Sequence, residues 1–293
     1  MAVRLTKEGT QLSKPRDNQN PELKTLKPDH LLPKGFLRQS AVGEYLKCPY
    51  RFYLLYVENL RSPPSVALVE GSAHHAWLEK ENIERINKDR MRLLKNSDAI
   101  DVFEHYFKKE AKDIGTWEED SPDTVMNRAM RIITNYHKYF ASSVKPKKAE
   151  MQIEMMIGDV PFLGSIDLLE DGDVISDYKI GGKHKSPRDL EHSLQLPLYA
   201  SAVNSSKVRL ISVNKNSRDA KDSVKSVAGT VTRSSKAWAQ SIVLDVADSV
   251  KKGAFPKCAP DSWWCSNRFC GFWNQCRGAK VPPKTALKSE VPF

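Results

Sequence analysis

The chain has 293 residues, 40% of them hydrophobic, and its 46 Lys and Arg outnumber its 36 Asp and Glu to give a net charge of +10. That length allows one large domain or two small ones, and the basic excess favours a polyanionic partner, nucleic acid first. No apolar run approaches the roughly 20 residues that span a bilayer and no apolar signal core opens the chain, so a cytoplasmic location is expected and a membrane partner is not.

Residues 1–35 are polar, and Lys14-Pro15, Asn20-Pro21, Lys27-Pro28 and Leu32-Pro33 interrupt any periodicity; a disordered basic arm is expected there. Ser40 reads as the N-cap of a helix from Ala41 to about Tyr56, rich in core-type aromatics. Pro49, directly after Cys48, should break or kink it, and Arg51 is a candidate phosphate contact. After Ser62-Pro63-Pro64, a Gly71-Ser72 turn is expected to open a helix carrying His74 and His75. Charged helices should follow over Glu79–Lys95, Ala99–Asp113 and Asp123–Ser142, a helical insertion at about 79–145.

Strand patterns then take over, at Met151–Gly158 and Val160–Leu169, with an Asp171-Gly172 hairpin turn and a return strand Val174–Ile180. Gly181–Pro187 is a basic glycine loop, and Asp189–Asn204 reads as one helix that puts Gln195 and Tyr199 on one face. Further strands are expected at Lys207–Asn214 and Val227–Thr232, and a helix capped by Ser234 or Ser235 should run to about Val250. The order implies an α/β or α+β plan around a mixed central sheet.

Two places carry chemistry. Asp177 and Lys179 are two apart on a strand and so share a face, and Asp167 can reach that face across the hairpin. Two carboxylates beside an ammonium suit a divalent cation, with the lysine turned to a water or a phosphate oxygen. Taken alone, Asp-x-Lys reads first as a solvent-facing ion pair of little worth. His75 matters only if it faces the same cation, and Glu154 reads as an ordinary strand-surface residue.

The second place holds three of the five cysteines, Cys265, Cys270 and Cys276, in an aromatic loop. In a reducing compartment they point to ligation rather than disulfides. A four-thiolate site needs one more, either the nearby Cys258 or the distant Cys48, and spacing alone does not separate zinc from an iron–sulfur cluster.

Set in order, these stretches resemble RecB-type exonucleases of the PD-(D/E)xK superfamily, and within it the iron–sulfur nucleases related to the AddB C-terminal domain, CRISPR-adaptation nucleases and phage RecB-like exonucleases. The resemblance covers about residues 38–277. It rests on Cys48-Pro49-Tyr50-Arg51-Phe52, on Gly71 to Glu79 with His75 in the histidine place, and on Gly164 to Asp167. Asp177-Tyr178-Lys179, Gln195 to Tyr199 and the three-cysteine loop complete it.

The resemblance implies a restriction-endonuclease-like α/β core, with one nuclease domain over 36–278, an iron–sulfur loop at 258–278 and a flexible tail at 279–293. It implies Mg²⁺ or Mn²⁺ bound by His75, Asp167, Asp177 and the Tyr178 carbonyl. Asp167, Asp177 and Lys179 would be catalytic, with Gln195 and Tyr199 positioning the lysine or the DNA. A 4Fe-4S cluster would be held by Cys48, Cys265, Cys270 and Cys276, leaving Cys258 over. The implied activity is a DNA exonuclease in repair or recombination, of bacterial or phage type, with replication or recombination proteins as further partners. The alternatives are a structure-specific endonuclease or nickase on the same fold, and a non-catalytic DNA-binding protein with a structural zinc.

Overall fold

The computed structural model describes residues 27, 29–88, 92–115, 117, 120–277 and 287–288. Most of the expected N-terminal arm lies outside the described residues. Its last part is anchored: Leu32 is buried, and Asp29 pairs with Lys251 at 2.6 Å.

Strand β1 (Leu37–Arg38) leads into helix α1 (Gln39–Lys47), whose N-cap is Arg38 rather than Ser40. The break at Pro49 is present. Cys48 is extended, α2 (Pro49–Phe52) starts anew with proline in its first turn, and a π-helical turn (Tyr53–Val57) and strand β2 (Leu60–Arg61) follow.

No turn opens at Gly71. Ser65, just past the two prolines, caps a continuous helix α3 (Val66–Asn87) by accepting from the Leu68 amide. Buried Val66, Val69, Ala73 and Trp77 recur every three or four residues, and that stripe outweighs the cost of an interior glycine of about 1 kcal/mol. Helices α4 (Asn96–Ala111) and α5 (Pro122–Tyr139) pack beside it.

The strands come next: β3 (Pro146–Ile157), β4 (Val160–Glu170) and β5 (Val174–Gly181). The single helix expected over Asp189–Asn204 is two, α6 (Pro187–Glu191) and α7 (Gln195–Ala202). Pro197 lacks an amide to donate back to residue 193, so the helix must restart there, and the restart puts Gln195 in a first turn. Strands β6 (Lys207–Asn214) and β7 (Val224–Thr230) and helix α8 (Arg233–Lys251) follow, the last closed by a Thr232–Ser235 capping box. A short helix α9 (Trp273–Arg277) lies in the cysteine segment, and in the tail Leu287–Lys288 (β8) pairs with β2.

The main sheet runs β1-β4-β5-β6-β7, with β3 on the other edge of β4. It is mixed. β5 and β6 are parallel over Ile175–Gly181, joined by the α6–α7 crossover, while β3, β4 and β5 are antiparallel neighbours. One core, including Phe162, Ile166, Ile175 and Leu210, packs under α1, α7 and α8. The other, including Leu168, Tyr178, Ile211 and Val213, packs under α3, α4 and α5. The helices expected as an insertion therefore supply one full layer of a helix–sheet–helix sandwich.

The sheet forks in its middle. β4 pairs with β5 only from Leu168 to Glu170, opposite Val174 to Ser176. Beyond that point β5 stays with β6, and β4 takes β1 as its neighbour at Phe162 and Leu163.

Helix α3 is pinned over this fork by a buried charge. Glu70 has no exposed surface; Arg128 donates to both its oxygens, at 2.6 and 2.8 Å, and Lys215 adds a third bond at 2.8 Å. Burial alone would raise the Glu70 carboxyl, but Arg128 and Lys215 win and hold it below the usual carboxylate range. Its contribution is thus present at neutral pH and fades in acid. Glu70→Gln is expected to destabilise the fold by about 3 kcal/mol, read as a lower urea midpoint at pH 7, because two partly buried cations lose their counter-charge.

Candidate active site

The fork places Asp167 just before the stretch of β4 that pairs with β5, and Asp177 just after the stretch of β5 that pairs with β4. Asp167 Oδ2 accepts the Tyr178 amide at 3.0 Å, taking up a backbone donor that the diverging strands leave behind. On β5, alternation sends Tyr178 into the α3 core and turns Asp177 and Lys179 to the opposite face.

Helix α7 meets them there. Gln195 Nε2 donates to Asp177 Oδ1 at 2.8 Å, Lys179 Nζ donates to Gln195 Oε1 at 2.9 Å, and Lys179 Nζ lies 2.8 Å from Asp177 Oδ2. The three side chains form a closed triangle. Asp177 is 2% exposed, whereas the Lys179 side chain keeps 37% of its surface. Burial, reinforced by Asp167, pushes the Asp177 carboxyl up to about 6, against the opposing pull of Lys179.

His75, on α3, points its Nδ1 at Asp167 Oδ2 from 3.5 Å. The neighbouring His74 is fully buried and accepts from the Trp77 indole at 2.9 Å; burial lowers its pKa to about 3, so it is a neutral core residue. Tyr199 is a buried neighbour of the acids, and burial raises its phenol well above the ordinary range. Its ring also explains Gly164. A Cβ there would lie 2.7 Å from Tyr199 Cε1 and 3.1 Å from Ile153 Cγ1, so only glycine lets the ring reach the strand.

Of the residues expected at the site, Asp177, Lys179 and Gln195 are joined directly, His75 meets Asp167, and Tyr199 lies against Gly164, while the Tyr178 side chain points into the opposite core and only its amide meets Asp167. One neighbour was not expected. Among the described residues, a single group of three His, Cys, Asp or Glu side chains brings its ligand atoms within 4.8 Å of one another, and it is His75, Glu150 and Asp167. Glu150 and Glu154 share a strand and an alternation phase, so periodicity cannot choose between them. Register does: Glu154 pairs with Leu163, while Glu150 lies between the Ala149–Leu168 and Met151–Ile166 pairs. Imidazole and carboxylate donors together suit a divalent cation such as Mn²⁺.

The five cysteines line one separate pocket, with Cys48 from the α1–α2 junction and the other four from the C-terminal segment. That segment is sewn to the N-terminal helices. Trp264 donates to the Lys47 carbonyl at 3.1 Å, Tyr50 to that of Pro256 at 3.1 Å, and the Tyr45 hydroxyl to that of Ala254 at 2.6 Å. Buried Phe272 packs with Leu54 and Leu60. Arg277, 3.0 Å from the Cys265 sulfur, holds that thiol below its ordinary pKa, whereas burial pushes those of Cys258, Cys270 and Cys276 up.

Comparison with known proteins agrees with this geometry. The family described as the PD-(D/E)XK nuclease superfamily matches residues 37–277. A crystal structure of a Eubacterium rectale protein, described as a putative exonuclease, superposes with a TM-score of 0.54 at 14% identity, over 88% of this chain and 91% of that one. The structure of SSO0001 gives a TM-score of 0.33 at 14% identity over 70% of this chain and 96% of that one, too low to carry an argument. No curated protein matches the chain significantly.

A cation held by the raised Asp177 carboxyl would compete with a proton for it, which sets a pH dependence. Mn²⁺ affinity is expected to level off well above pH 6 and to fall toward about tenfold per pH unit below it, checked by titrations at several pH values.

Proposed function

The chain belongs to the PD-(D/E)XK nuclease superfamily, and on that premise we propose that it is a Mg²⁺- or Mn²⁺-dependent deoxyribonuclease that digests DNA from its ends and carries a structural 4Fe-4S cluster. The observation that carries the catalytic part is the Asp177–Gln195–Lys179 triangle beside the His75–Asp167 pair. A surface ion pair would not need a glutamine to fix both partners, nor a carboxylate buried at 2% exposure.

His75, Asp167, Asp177 and the Tyr178 carbonyl would hold the cation. When bound, such an ion polarises a phosphoryl oxygen and makes a water more acidic. Lys179 meets the developing negative charge, with its ammonium aimed by Gln195 so that little reorganisation is needed during reaction. Gln195 also keeps Asp177 in place. Tyr199 seats α7, and therefore Gln195, against Gly164. Lys185, which lines the same open groove as Lys179 and Gln195, is placed to hold a phosphate of the bound strand.

The cluster would be ligated by Cys48, Cys265, Cys270 and Cys276. Cys258, which lies within hydrogen-bond reach of Cys48 and Cys265, is then left over. A single zinc needs its thiolates at about 2.3 Å, hence with sulfurs within about 4 Å of one another. The five cysteines line one pocket, which suits a thiolate-held cluster. A bond between Cys48 and the C-terminal loop closes a ring of over two hundred residues and restrains the unfolded chain.

Lys179→Ala is expected to lower Mn²⁺-dependent cleavage of labelled linear DNA about a hundredfold or more while the fold survives. Undiminished cleavage by that variant would end the assignment. Nicking of covalently closed circles by the wild type would instead favour the endonuclease reading. Separately, Cys270→Ala is expected to lose iron and visible absorbance and to melt at lower temperature. Wild-type protein that is colourless, iron-free and fully active would remove the cluster and spare the nuclease.

A further inference from the structure

We propose that Glu150 is a direct ligand of the active-site cation, so that the ion is gripped from β3 as well as from α3, β4 and β5. The inference rests on the nuclease reading above and adds to its ligand set a carboxylate from a fourth element.

The first observation is geometric. The ligand atoms of His75, Glu150 and Asp167 lie within 4.8 Å of one another. Around an ion with bonds of about 2.1 Å, octahedral ligand atoms are about 3.0 Å apart when adjacent and about 4.2 Å when opposite. The group therefore needs only a small contraction to close on a cation.

The second observation is independent of that group. Asp177, 2% exposed, keeps an oxygen, Oδ2, that accepts no hydrogen bond, although Lys179 Nζ stands 2.8 Å away. Asp177 is within electrostatic reach of both Asp167 and His75. A carboxylate oxygen can take a second partner beside that ammonium, so Asp177 can share a cation with the two ligand-type side chains near it. Glu150 beside Asp167, and Asp167 within electrostatic reach of Asp177, gather negative charge that a cation would offset.

The orientation of Glu150 is itself supported. Ser165 Oγ donates to Glu150 Oε2 at 2.9 Å, and Gln152 donates to Ser165 Oγ at 3.1 Å. A carboxylate offers about four acceptor positions, so this bond aims the group without excluding an ion. Glu150 has φ of 46°, in the left-handed region, between residues that pair regularly with β4 on either side.

The test is a Mn²⁺ titration of the full chain followed by electron paramagnetic resonance, with melting curves for each variant. Glu150→Gln is expected to weaken Mn²⁺ binding about tenfold or more, since even an outer-shell partner is worth about that much. Glu150→Asp should recover part of it. Ser165→Ala, which removes the brace and keeps the carboxylate, should retain most of the affinity, and Glu154→Gln all of it. Wild-type affinity in Glu150→Gln overturns the proposal. So does a loss in Ser165→Ala as large as that in Glu150→Gln, which would make Glu150 only a brace. If those results come with Mn²⁺-dependent cleavage intact, the nuclease reading stands alone. A wild type that neither binds Mn²⁺ nor cleaves with it removes both. Should Glu150→Gln melt out, the Glu150→Asp and Ser165→Ala pair still decides, because a ligand is sensitive to reach and a brace to the hydroxyl.

Discussion

The site exists because two strands part company. Where β5 leaves β4, each strand loses backbone partners, and unpaired amides inside a protein are costly. Asp167 meets that cost by accepting the Tyr178 amide, so the carboxylate that opens the fork also stabilises it. The gap it holds open is where Asp177 and Lys179 emerge on one face. Without the fork, continued pairing would close the space between the two acids, where the proposed ion and phosphate would sit. The sheet topology and the chemistry are thus one constraint: a mixed sheet whose central antiparallel pair is short and whose parallel pair is long.

Around the fork the molecule spends stability on electrostatics. A carboxylate buried like Asp177 resists ionising, and its pKa rises to about 6. Replacing such groups by apolar ones commonly strengthens a fold, so their retention speaks for function. The compensation is placed nearby but away from the chemistry. Glu70, five residues before His75 on α3, is locked by Arg128 and Lys215 and ties α3 to α5 and to the loop after β6. A helix fixed so firmly can present an imidazole to Asp167 from 3.5 Å without being held by the acid itself.

The ends of the chain are joined by a different device. Trp264, Tyr50 and Tyr45 hydrogen-bond across more than two hundred residues of sequence, and Gly271 lets the loop approach β2. A Cβ on Gly271 would fall 2.3 Å from that of Ser62, so the approach tolerates no side chain. These contacts bring five thiols to one pocket before any ligand is considered.

The sequence by itself determined the elements with a strong local signal and picked out several of the side chains that the fold gathers at the fork. The strand patterns of β4 to β6, the stop at Pro49 and the Asp-x-Lys phase on β5 are local, since alternation and a missing amide act within a few residues. Tertiary structure decided what locality cannot reach. The helix through Gly71 forms because its apolar stripe finds a core, although glycine there looks like a turn. The apparent insertion proves to be a whole layer because only the folded sheet shows which face it covers. Glu150 joins His75 and Asp167 through the register of β3 on β4, a relation between residues far apart in the chain. Side chains of like type and phase are equal in sequence, and only strand pairing makes one of them a neighbour of the reacting centre.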